Sequence, residues 1–81
     1  MKSKLEKWRD ANSVSRKDLA DRAGTSDVTI WRIETGEDAV GLFILMKVAE
    51  ATRDRKFKGK VATWELVKDW VTLWKARQKA G

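Results

Sequence analysis

The chain has 81 residues with no cysteine and no histidine, which excludes a disulfide framework, thiol chemistry, the usual zinc ligands and the Ser-His or Cys-His nucleophile pairs. Lys and Arg number 18 against 12 Asp and Glu, a net charge of +6, and that excess on one short domain points to an anionic partner: nucleic acid, a membrane surface or an acidic protein. None of the carboxylates falls in a catalytic spacing, so the chain does not read as an enzyme, and no catalytic residue, metal site or cofactor is expected.

Proline is absent, β-type alternation is rare and helical spacing dominates, so the expected fold class is all-α, with five helices. Helix 1 is expected from about Ser3 to Ala11, with Leu5 and Trp8 on one face and Asn12-Ser13 breaking it. The stretch MKSKLEKWRDANS lacks the apolar centre of a signal peptide. No run approaches the roughly 20 apolar residues of a membrane span. Ser15 caps helix 2, with Asp18 three residues on; Leu19, Ala20 and Ala23 form its inner stripe, and Gly24 supplies the positive φ that ends it. Ser26 caps helix 3, Asp27 sits in its first turn where the helix dipole favours an acid, and Gly36 ends it.

Helix 4, expected from Val40 to Ala51, is apolar nearly all round at Leu42 to Met46, so it is expected to be central and buried. RDRKFKGK, residues 53–60, has five basic residues and one acid. It reads as a basic linker, either solvated or lending contacts to phosphate. Residues 61–81 hold a final amphipathic helix, expected to about Arg77. Its apolar residues fill about half the circumference, wider than the stripe of about 100° that a small core needs. Trp64, Val67, Trp70, Val71 and Trp74 lie on that arc. They are candidates for a homodimer interface, or for packing of the tail on helices 1 and 4. A membrane-surface helix fits less well, because Glu65 and Asp69 lie on the polar side.

Helix 3 carries the functional signal. At about 100° per residue, Ile30 and Ile33 share one side, while Val28 and Thr35 fall opposite, flanked by Trp31 and Arg32. A merely solvated face more often holds Lys, Glu and Gln. This mixture suits base edges: Arg forms two bonds to guanine, Val touches a thymine methyl, and Thr bonds a base or phosphate. Asp27 is either a dipole-matched acid or an acceptor for cytosine N4. Trp31 either joins that face or packs under a neighbouring segment such as the tail. Small Ala20 and the short Gly24-Thr25-Ser26 turn bring helices 2 and 3 together in a helix-turn-helix pattern.

The segment SRKDLADRAGTSDVTIWRIETGE resembles the helix-turn-helix of the lambda-type repressor and Cro (XRE) family. The resemblance rests on Ser15, Arg16, Leu19-Ala20, Gly24, Ser26, Ile30 and Glu34-Thr35-Gly36, and LMKVAEAT resembles the family's next helix. It covers about residues 4–52 and implies a five-helix, lambda-repressor-like fold: a helix-turn-helix core over 1–52, the linker, and a Trp-rich C-terminal helix that belongs to the same unit or dimerises. It implies base reading by Asp27, Val28 and Arg32, backbone contacts by Arg16 and Thr35, and an ion pair between Arg9 and Glu34; Trp31 is a further base-reading candidate, and Lys17, Ser26 and Thr29 are further candidates for backbone contacts. The acids Glu37 and Asp38 in the next loop run against a phosphate contact there.

The expected function is a sequence-specific, double-stranded DNA-binding regulator, a repressor of phage Cro-like or small prophage type. The expected state is a homodimer on a pseudo-palindromic operator, DNA-associated in the cytoplasm, with no membrane partner, no small-molecule ligand and no room for a catalytic domain after residue 52. The alternatives are the antitoxin of a toxin–antitoxin pair and a protein-interaction module that uses the Trp-rich tail.

Overall fold

A computed structural model of the chain describes residues 2–38 and 40–80, and of Lys79 and Ala80 the backbone alone. Met1 and Gly81, the ends of the expected segments 1–52 and 61–81, and Ala39 in the loop after Gly36, lie outside the described residues. Among the described residues the secondary structure is five α-helices and no strand.

Three of the helices start on serine. Ser3 caps α1 (Lys4–Asn12), its hydroxyl accepting from the Glu6 N–H at 3.1 Å. Ser15 caps α2 (Arg16–Ala23) through the Asp18 N–H at 3.0 Å. Ser26 caps α3 (Asp27–Thr35) through the Thr29 N–H at 3.2 Å. Each such cap supplies an acceptor to a first-turn N–H that has no partner inside the helix. The ends are left-handed turns: Ser13 at φ 55°, Gly24 and Gly36 both at φ 71°. After α2 the Thr25 N–H returns to the Ala20 carbonyl at 2.9 Å, which closes the helix and turns the chain sharply toward α3. α4 (Leu42–Ala51) starts at Gly41 with no side-chain cap, and α5 (Thr63–Ala80) closes the fold.

The core lies where α1 to α3 meet α4 and α5. Leu5, Leu19, Ile30, Ile33, Val48 and Leu66 are its fully buried aliphatic side chains. α2 packs on both α3 and α4, and α5 spans α1, α3 and α4. A helix that covers three neighbours buries a wider arc than one lying on a single groove. This accounts for much of the broad apolar side of the tail: Leu66 is fully buried, and Val67, Trp70 and Val71 are half-buried by their own chain. These last three keep part of their surface open. Trp64 and Trp74 remain exposed.

One expectation from the sequence needs correction. α4 is not buried all round. Leu45, Val48 and Ala49 face the core, while Leu42, Phe43 and Met46 are 60%, 70% and 51% exposed. Its neighbours cover one side only, because α2 and α5 both meet it from the core. The basic segment 53–60 is exposed except at Phe57, and it is tied back to α1. Trp8 Nε1 donates to the Gly59 carbonyl at 3.0 Å, and Asn12 clamps Lys58, donating to its carbonyl at 3.0 Å and accepting from its N–H at 2.7 Å. Phe57 stands edge-on to Trp8, with ring centroids 4.9 Å apart. Thr52, fully buried, donates to the Ala49 carbonyl and accepts from the Val61 N–H.

Candidate nucleic-acid interface

The amphipathic split of α3 sets the site. Ile30 and Ile33 are 0% and 2% exposed, whereas Val28 and Trp31 on the far side are 50% and 37% exposed. Asp27 is exposed beside them, and Arg32 and Thr35 are half-exposed. Among the described residues the Arg32 side chain has no hydrogen-bond or ion-pair partner within the chain, so its five N–H donors remain available. Trp31 is not covered by the tail. With Val28, Asp27 and Arg16 it lines a shallow hollow of about 240 Å³ between the start of α2 and α3.

Beneath this face lies a buried charge cluster. Glu34 has a side chain with no solvent exposure and is held by two arginines. Arg9 donates from Nε at 2.6 Å and from Nη2 at 2.9 Å, a bidentate pair, and its Nη1 donates to the Val14 carbonyl at 3.2 Å. Arg16 donates from Nε to the same carboxylate at 2.9 Å. The hydrogen bond to Glu34 raises the Arg9 pKa above its ordinary value, so Arg9 is a fixed cation. Burying these charges is tolerable because no buried side-chain nitrogen or oxygen among the described residues lacks a partner. The cluster ties α1, α2 and α3 together, and it holds Arg16 by one edge while its side chain stays 40% exposed. Arg16 thus anchors α2 to α3 and still presents donors to solvent.

The hydroxyls are partly committed. Ser26 and Thr29 share a hydrogen bond at 2.9 Å at the head of α3. Thr35 donates to the Trp31 carbonyl at 2.9 Å, leaving its oxygen as an acceptor only. Lys17 is exposed on α2, one residue after Arg16. The acidic loop is drawn away to the tail: Glu37 pairs with Arg77, and the Asp38 carbonyl accepts from Trp70 Nε1 at 2.9 Å. Here sequence reasoning missed an anchor. Trp70 and Arg77 lie 32 and 40 positions beyond their partners, and no local pattern announces such a contact.

Gly36 has a second role. A Cβ there would lie 2.7 Å from the Trp74 backbone nitrogen and 2.8 Å from Leu73 Cβ. The end of α3 therefore rests directly against the backbone of α5, which fixes how α3 is presented.

Residues 5–53 match a family model described as helix-turn-helix, of the XRE, lambda-repressor-like type. No curated protein and no solved structure matches the chain. The matched residues run from the first turn of α1 to just past α4, more than half of the chain. They contain the capped turn, the Glu34 cluster and the outward face of α3 together. The chain belongs to the helix-turn-helix family of the XRE, lambda-repressor-like type, a family of DNA-binding regulatory domains.

Proposed function

We propose that this protein is a sequence-specific repressor that occupies an operator with α3 in the major groove. The observation that carries the reading is the outward face of α3. It sets an uncommitted guanidinium, a methyl-bearing side chain and an indole on the outward side of one helix, over the buried Glu34 cluster. In that placement Arg32 reads guanine through two hydrogen bonds, Val28 meets a thymine methyl, and Asp27 accepts from cytosine N4 and repels wrong bases. Trp31 excludes water beside them. Arg16 and Lys17 bind phosphate, with the Ser26–Thr29 hydroxyl pair and Thr35 on the flanking backbone.

One copy makes few base contacts. The operator reading therefore uses a two-fold homodimer with its recognition helices about 34 Å apart on a pseudo-palindrome. The C-terminal half of α5 suits this contact. Trp74 is 39% exposed and stacks on Trp70 with ring centroids 6.0 Å apart. It lies directly over Gly36, so a contact there couples the two copies of α3.

Selection of bound duplexes from a random pool tests the reading. It should enrich inverted half-sites at that spacing, and Trp74→Ala should shift sedimentation to a monomer that binds one half-site weakly. A pool that enriches no sequence refutes the operator reading, and an unchanged sedimenting mass refutes this dimer face.

A further inference from the structure

A second surface lies away from α3. Between α4 and the start of α5 runs an apolar groove of about 870 Å³. Ala49, Val61 and Val67 form its floor, and Leu42, Met46 and Trp64 form walls that are 60%, 51% and 64% exposed. No lining residue belongs to α1, α2 or α3. Such an apolar hollow is more than a solvated fold requires, and the DNA reading does not use it.

The rim says what chemistry covers it. Four charged residues line the groove: Glu50, Arg53, Lys60 and Lys68. Glu50 and Arg53 pair with one another at 3.4 Å. Among the described residues Lys60 and Lys68 have no ion-pair partner, so the rim keeps two uncompensated cations. The walls are helical ridges: Leu42, Met46 and Ala49 follow one stripe of α4, and Trp64 and Val67 face them from α5. Two adjacent ridges with a hollow between them accept a third helix.

We infer that this groove binds an amphipathic helix of a partner protein, seated by an apolar ridge and flanked by Asp or Glu that face Lys60 and Lys68. A second copy is a poor occupant, since a two-fold contact would set these lysines against their own counterparts. A bilayer is also a poor occupant, because a flat lipid surface cannot fill a hollow. Met46 is unbranched and adaptable, so the groove can follow different apolar side chains. The inference stands apart from the operator reading: the two surfaces share no residue, and the partner can bind with DNA in place.

The test is selection of displayed helical peptides, with randomised surface positions, on the full-length chain. Enriched peptides should carry apolar residues at i, i+3 or i+4, and i+7, bordered by Asp and Glu. Their binding should blue-shift Trp fluorescence, fall with salt, and drop at least about tenfold, or 1.4 kcal/mol, in Met46→Asp. A Lys60→Glu/Lys68→Glu chain should instead prefer peptides with basic borders. Met46 is exposed, so unchanged circular dichroism separates lost docking from lost fold. The inference is overturned by peptides with neutral or basic borders, by binding indifferent to Met46→Asp, or by no enrichment at all. It is equally overturned if Met46→Asp dissolves a self-dimer, or if anionic vesicles compete as well as the peptides.

Discussion

Two regions of this molecule expose large apolar side chains, and their surroundings differ. On α3, Val28 and Trp31 line a small, shallow hollow beside Arg16, with the half-exposed Arg32 on the same helix, over the buried Glu34 cluster. On α4 and α5, Leu42, Met46 and Trp64 enclose a hollow with two unpaired lysines at its rim. Exposed apolar surface does not by itself name a partner. The size of the hollow and the polar groups at its border do: a narrow helix face with free guanidinium donors enters a groove between phosphates, and a wide hollow with a cationic rim receives a convex acidic element.

The contrast predicts unequal sensitivity, and the α3 side can be broken hardest. Arg9→Leu leaves the Glu34 carboxylate buried with one partner in place of two and strips a donor from Val14, so it should cost about 3–5 kcal/mol. Chemical denaturation reads this directly, and DNA affinity should fall with the fold. A cost below about 1 kcal/mol would show that the cluster does not hold α3. The two cap glycines sharpen the point. Both sit at φ 71°, yet a Cβ on Gly24 meets the flexible tip of Lys47 at 3.3 Å, while one on Gly36 meets α5 backbone at 2.7 Å. Gly24→Ala should cost about 1–2 kcal/mol, the left-handed term alone. Gly36→Ala should cost more than this, by about a further 1–3 kcal/mol of overpacking. Equal melting points for the two variants would contradict the close approach of α5.

The smallest effect is a pH dependence at the α1–α5 contact. Glu65 accepts from Lys4 Nζ at 2.9 Å and from the Ala62 N–H, and these bonds hold its carboxyl below the ordinary value of 4.5. Asp10 is lowered in the same way by Lys2. A lowered folded-state pKa stabilises above the ordinary carboxylate value, and that stability is lost as pH falls through the folded value. Thermal melts should therefore weaken below about pH 4.5, and Glu65→Gln should weaken less steeply. Both carboxylates are at the surface, so added salt should flatten the difference.

Much of this architecture is legible in the chain because it is local. The serine caps, the left-handed glycines and the opposed faces of α3 each depend on residues within one or two turns. What is not legible depends on distant neighbours. Leu42, Phe43 and Met46 look like core residues, and only the arrangement of α2 and α5 shows that α4 is covered on one side. The basic segment 53–60 reads only as a linker, and its ties to Trp8 and Asn12, more than forty positions away, appear only in the fold. Glu37 and Asp38 look badly placed near phosphate until Arg77 and Trp70 reach them. The Arg9–Glu34 pair was accessible through family resemblance, whereas the share of Glu34 taken by Arg16 was not.

The central claim is that the outward face of α3 reads base pairs. It is tested most directly by measuring affinities of Arg32→Ala and the parent chain on the selected operator and on each single-base-pair variant of it. The account predicts a loss of about 1–3 kcal/mol of discrimination at one guanine-bearing position, with the other positions and the fold unchanged. Unaltered discrimination at every position, with the fold intact, would contradict it.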